Sequence, residues 1–139
     1  MWTKSYSVVT KDITKEQIWK LFADVNTWHT WDEGIEFARL EGPFEKGNHF
    51  ILKPKGGPKV KVELTETIPY KSFVDVTRFP LARMYDRHTF EETPDGLKIS
   101  NTISVKGVLS FLWIKLVAQH IVNALPKDIK KQIEAAGKL

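Results

Sequence analysis

The chain has 139 residues, no cysteine and a formal net charge of +4 from 21 basic and 17 acidic residues. Its length makes one domain, 1–139, the expectation, and the missing cysteines exclude disulfides, zinc–thiolate sites and a cysteine nucleophile. Hydrophobic residues at 42% and charged residues at 27% exclude disordered and collagen-like classes. The lysines are spread along the chain, with their densest group in residues 127–132, so no nucleic-acid partner is expected.

Residues 1–12 hold no apolar run of signal-peptide length, and a cytoplasmic location is expected. Trp2, Tyr6 and Val8 alternate with polar residues and predict a first strand, with Lys4 breaking the pattern. Thr14 and Gln17 form a capping box for a helix whose apolar face is Ile18, Leu21, Phe22 and Val25. Asn26 is placed to cap a second short helix, which Gly34 ends. Strand-like runs follow at 35–42, 47–54, 59–68, 72–79, 82–92 and 97–107. Turns are expected at 54–58 and at 93–97, the latter a Pro94-Asp95-Gly96 hairpin signal.

Gly107 breaks the chain before a long helix. Residues 108–125 have the length of a membrane span, but Lys115, Gln119, His120 and Asn123 interrupt them. A lysine near the middle is costly in lipid, so no stable insertion is expected. Pro126 falls inside the helical pattern and should kink or restart it. The remaining tail reads as an amphipathic surface helix.

One strand, two helices, six strands and a long helix imply an α+β class with an antiparallel sheet. The stretch Phe111–Leu125 is apolar nearly all round. A sheet of about seven strands coils through its twist. A helix lying across the concave face would then be covered on most of its circumference.

With this element order the chain resembles the START-like, or polyketide cyclase/dehydrase and lipid-transport (SRPBCC), superfamily. The resemblance covers essentially the whole chain. It is carried by "DITKEQIWKLFADVNTWHTWD" from Asp12, "TETIPYKSF" from Thr65 and "FEETPDGLKIS" from Phe90. It implies a helix-grip fold: a curved antiparallel sheet of about seven strands wrapped around a long C-terminal helix, with two short helices after the first strand. Members carry lipids, bind hormones, cyclise polyketides or assist chaperones. The expectation is therefore a binder or carrier of a small hydrophobic molecule such as a lipid, isoprenoid or aromatic polyketide. A polyketide cyclase/dehydratase is the alternative. A chaperone-activator-like interaction module with a protein partner is the third reading.

Strand parity selects the candidate site. Met84, Asp86, His88 and Phe90 share the inward face of one strand, and Ile99, Asn101, Ile103 and Val105 that of the next. The turn between them brings Asn101 beside His88 or Phe90. On the long helix, Leu109, Leu112, Trp113, Leu116 and His120 form one stripe, with Asn123 at its margin. The expected ligand set is Asp86, His88, Phe90, Asn101, Trp113, Leu116 and His120, with Trp28 and Trp31 near the mouth.

Several of these residues have a second reading. His88 fits equally a hydrogen-bonded core position. Asp86 fits an ion pair with Arg83 or Arg87. The tryptophans fit a plug at the end of the core. The basic tip 53–61 fits either a solvated turn or a lid in weak contact with an anionic membrane surface. Asp86 and His88 would be acid–base partners. The resemblance to cyclases implies that His88, Asn101, Tyr85 or Arg78 polarises a ketone and moves a proton, although strand parity turns Tyr85 and Arg78 outward. The four histidines show no metal spacing, and no Gly-rich phosphate loop, HExxH or GxSxG motif occurs. No metal and no cofactor are expected.

Overall fold

The alternating runs form seven strands in a computed structural model that describes residues 1–139. These are β1 (Trp2–Thr10), β2 (Ile35–Leu40), β3 (His49–Pro54), β4 (Val60–Ile68), β5 (Ser72–Phe79), β6 (Ala82–Thr93) and β7 (Gly96–Lys106). All neighbours pair antiparallel in one sheet of order β1-β7-β6-β5-β4-β3-β2. Helix α1 (Lys15–Ala23) and a 3₁₀ helix (Val25–Thr30) carry the chain from one edge of this sheet to the other. No helix is long and apolar enough to cross a membrane.

The capping box forms as expected. Gln17 N donates to Thr14 Oγ1 at 3.2 Å, and Thr14 N donates to Gln17 Oε1 at 2.8 Å. Asn26 does something other than cap. Its amide brackets the backbone of Leu40, accepting from Leu40 N at 2.9 Å and donating to Leu40 O at 3.3 Å. It thereby ties the 3₁₀ helix to β2, the far edge strand.

Residues 110–136 form the C-terminal helix in three pieces: an α turn Ser110–Trp113, a π-helical stretch Ile114–Ala118, and an α-helix Gln119–Ala136. The last piece passes through Pro126 without a break, contrary to the expected restart. The irregularity lies earlier, in the π turn. An extra residue there slips the helical phase, because each residue advances about 100°.

The main core gathers α1, the 3₁₀ helix, the inner faces of β2 to β7 and the last turns of the C-terminal helix, around Ile18, Phe22, Phe50, Phe73 and Ile129. A second core joins Met84, Ile103 and Val105 to Ala118 and Leu125. Strand parity is as read: Met84, His88 and Phe90 are buried, and so are Ile99, Asn101, Ile103 and Val105. The helix stripe is not. Ala118, Leu125, Ile129, Gln132 and Ala136 are the buried positions, while Leu112, Leu116 and His120 are exposed. Leu116 and His120 each stand two residues from Ala118, about 200° around the helix and so on its far side. Ile114, Val117, Ile121 and Val122 are half-buried against the second core, and the apolar residues left exposed on the outer side of this helix are Phe111, Leu112 and Leu116.

Candidate functional site

Pairing of β5, β6 and β7 concentrates polar groups on the concave face. Phe73 lies opposite His88, Asp75 opposite Asp86, and Asn101 opposite His88. His88 Nε2 is 3.1 Å from Asp86 Oδ1. Asn101 Nδ2 donates to the same oxygen and to the Arg87 carbonyl at 3.2 Å. The imidazole stacks on Phe73, with centroids 4.4 Å apart and planes 14° from parallel, and Phe22 lies 4.8 Å away. His88 is thus oriented by two aromatic rings and one carboxylate.

Asp75 takes no part in this network, although only 8% of it is exposed. Burial pushes its carboxyl well above the usual carboxylate range, and the facing Asp86 pushes it further. Asp75 is therefore the carboxyl biased toward its protonated form, and Asp86 is the one partnered by His88 and Asn101. The ligating atoms of Asp75, Asp86 and His88 lie within 4.8 Å of one another, and these are the residues that could hold a divalent cation. Histidine spacing alone could not reveal this mixed set.

A cavity of about 220 Å³ opens between these groups and the C-terminal helix. Phe22, Trp28, Trp31 and Phe50 wall it, and Ile121, Leu125, Asp128 and Gln132 line it from the helix. The Asp128 carboxyl is also raised, first by burial and then by Asp32. Trp28 Nε1 donates to the Phe22 carbonyl at 3.0 Å. Trp31 Nε1 and Gln132 Oε1, both buried, have no partner. An unpartnered buried polar atom costs about 1–3 kcal/mol.

Of the residues expected from sequence, Asp86, His88, Asn101, Trp28 and Trp31 line this cavity. Phe90 is buried in the main core, against Phe22 and Trp19. Trp113 packs elsewhere: it stacks on Phe79 at 4.5 Å, and its Nε1 donates to the Pro80 carbonyl at 2.9 Å. Leu116 and His120 face solvent. Asp86 has no arginine partner, because Arg87 points outward and pairs with Glu66 at 3.4 Å. Sequence reading missed Asp75, Asp128 and Gln132. A hairpin centred on Pro80 and Leu81 would have set Asp75 opposite Asp86, so that turn was the available signal.

A curved antiparallel sheet gripping a long helix, with a cavity between them, defines a helix-grip protein of the START-like class. The sequence matches the family described as polyketide cyclase / dehydrase and lipid transport over residues 2–137, and the chain belongs to that family. Solved structures share the fold. A hypothetical protein, jhp0584, from Helicobacter pylori is 13% identical over 97% of this chain and 88% of its own, with a TM-score of 0.77. A START superfamily protein from Mycobacterium smegmatis is 14% identical over 95% of this chain and 97% of its own, at 0.69. The di-domain ARO/CYC StfQ from the steffimycin biosynthetic pathway is 13% identical over 98% of this chain and 50% of its own, at 0.72. At these identities the likeness is one of fold. No curated protein matches the sequence.

Proposed function

We propose that the protein binds and carries a compact, mostly apolar molecule with one oxygenated end. The apolar part lies against Phe22, Trp28, Trp31 and Phe50, and the oxygenated end meets Asp75, Asp86, His88 and Asn101. The observation that carries this reading is Asp75: a buried acid facing a cavity with no partner of its own. A ligand carbonyl or hydroxyl would satisfy it.

Size narrows the ligand. Drug-sized ligand sites run from about 300 to 1,000 Å³, and this one is about 220 Å³. That favours a one- or two-ring isoprenoid or aromatic over a diacyl lipid. The cysteine-free composition suits a reducing cytoplasm as the setting.

A cyclase or dehydratase is the second reading, and one observation favours it. Two facing carboxyls in one cavity have unlike surroundings, Asp75 buried without a partner and Asp86 bonded by His88 and Asn101, and such a difference is the usual basis for dividing acid and base roles. Neutral Asp75 would donate to a ketone oxygen, and His88, oriented by Asp86, would accept the proton that is lost. The test is native mass spectrometry of the gently purified protein, followed by organic extraction. A stoichiometric apolar companion supports binding and names its class, whereas an apo mass unchanged by small terpenoids and aromatic ketones defeats both readings. His88→Ala separates the two. A carrier loses about tenfold in affinity, while an enzyme keeps binding and loses turnover.

A further inference from the structure

The side of the C-terminal helix that the sheet does not cover merges with two neighbouring turns. Leu81 is 65% exposed at the β5–β6 tip, Val108 79% after β7, and Phe111 and Leu116 are 69% and 55% exposed on the helix. These segments are locked together. Leu109 N donates to the Leu81 carbonyl at 3.0 Å, and Trp113 binds Pro80 and stacks on Phe79. Leu81 also holds a φ of 56°, a left-handed backbone that large residues avoid. Strain of this kind persists where a side chain is needed in a set place, and here it presents leucine to solvent.

The outer face at the same end carries a second anomaly. Arg78, Arg83 and Lys106 stand directly opposite one another on β5, β6 and β7. Like charges opposite each other weaken a sheet. One carboxylate answers this row, Glu63, 3.0 Å from Arg78. The three cations line an open groove of about 520 Å³ together with Phe79, Leu81 and Val108. Lys115 is exposed on the adjoining helix. The antiparallel order puts the basic β3–β4 tip, with Lys55 and Lys59, at this same end of the sheet.

We propose that this end of the molecule docks on an anionic phospholipid surface. Leu81, Val108, Phe111 and Leu116 enter the acyl boundary, and Arg78, Arg83, Lys106 and Lys115 bind lipid phosphates. Charge chooses the occupant. A second copy seated on this face would set the cation row against its own image, whereas an anionic bilayer neutralises it. The proposal does not rest on what the cavity holds. It does explain how a cargo would reach the cavity, because Met84, Ile121 and Leu125 belong both to the core beneath this end and to the cavity lining.

The experiment is co-flotation of the full chain with vesicles of phosphatidylcholine alone and with about 30% phosphatidylglycerol added. Flotation with the anionic vesicles only is expected. Arg83→Glu with Lys106→Glu should weaken it more than about tenfold, since each cation near such a surface contributes about fivefold. Leu81→Asn, a residue that tolerates the left-handed backbone, and Phe111→Ser should each weaken it severalfold with thermal unfolding unchanged. Absence of flotation, equal flotation on neutral vesicles, or variants that float like the wild type would overturn the proposal. A concentration-dependent dimer abolished by Leu81→Asn, without vesicle binding, would assign the face to a second copy instead.

Discussion

Asp75 governs the pH behaviour of the fold. Its carboxyl is raised by burial first and by Asp86 second, so the folded chain holds a proton that the unfolded chain releases near pH 4. The folded state then binds more protons than the unfolded one, and stability falls as pH rises above that point. Asp75→Asn keeps a neutral side chain of the same shape and removes the penalty. Melting temperature measured against pH should show a gain for the variant that widens from acid toward neutral pH. A constant gain, or a loss that grows with pH, would contradict the assignment of Asp75 as the neutral acid. Asp86, His88 and Asn101 were legible in the sequence because each interrupts an apolar face whose other members are clear. Asp75 was not, because both faces of β5 are buried from Ser72 to Thr77. With Val74 and Val76 as apolar as Phe73, alternation carried no sign of which side faced in.

Gly107 is the element-scale hinge between sheet and helix. Its φ is +125°, and a Cβ there would meet the Leu81 carbonyl oxygen at 2.5 Å and the Ala82 Cα at 2.7 Å. Both are backbone atoms that cannot swing aside. Gly107→Ala should cost about 3 kcal/mol or more, read as a lower urea midpoint. Pro126 predicts the opposite sign. It is exposed within an unbroken helix, so Pro126→Ala restores one backbone donor without altering packing. A gain of about 1 kcal/mol is expected in the same titration. The strands were readable from period-two patterns, and α1 from its capping box. The helix stripe was not, because a π turn changes phase while leaving composition untouched. Its apolar residues look alike whether they meet the sheet or the solvent.

At the scale of the whole molecule, cavity volume sets what stabilises it. A compact one- or two-ring ligand at about 100 times its dissociation constant should add about 2.7 kcal/mol, a rise of roughly 10 °C in melting temperature. A diacyl phospholipid should not enter a cavity of about 220 Å³, and one retained at one copy per chain in native mass spectra would show that the helix opens. Fold class was legible because one strand, two helices, six strands and a helix leave few arrangements. How far the sheet reaches around the helix is a tertiary property that no local pattern records.

The sheet order also fixes when the fold can complete. β1 pairs along its whole length with β7, from Trp2 with Val105 to Thr10 with Leu97, and no other strand flanks it. A ribosome adding about 5–20 residues each second leaves that first strand unpaired for several seconds. Its exposed backbone edge is then open to pairing with other chains. Closing so distant a pair late makes refolding slow, in the millisecond-to-second range of high-contact-order proteins. A circular permutant that begins after β1 and joins Leu139 to Met1 would place β1 after the C-terminal helix, much nearer to β7 in sequence, and it should refold faster than the natural order.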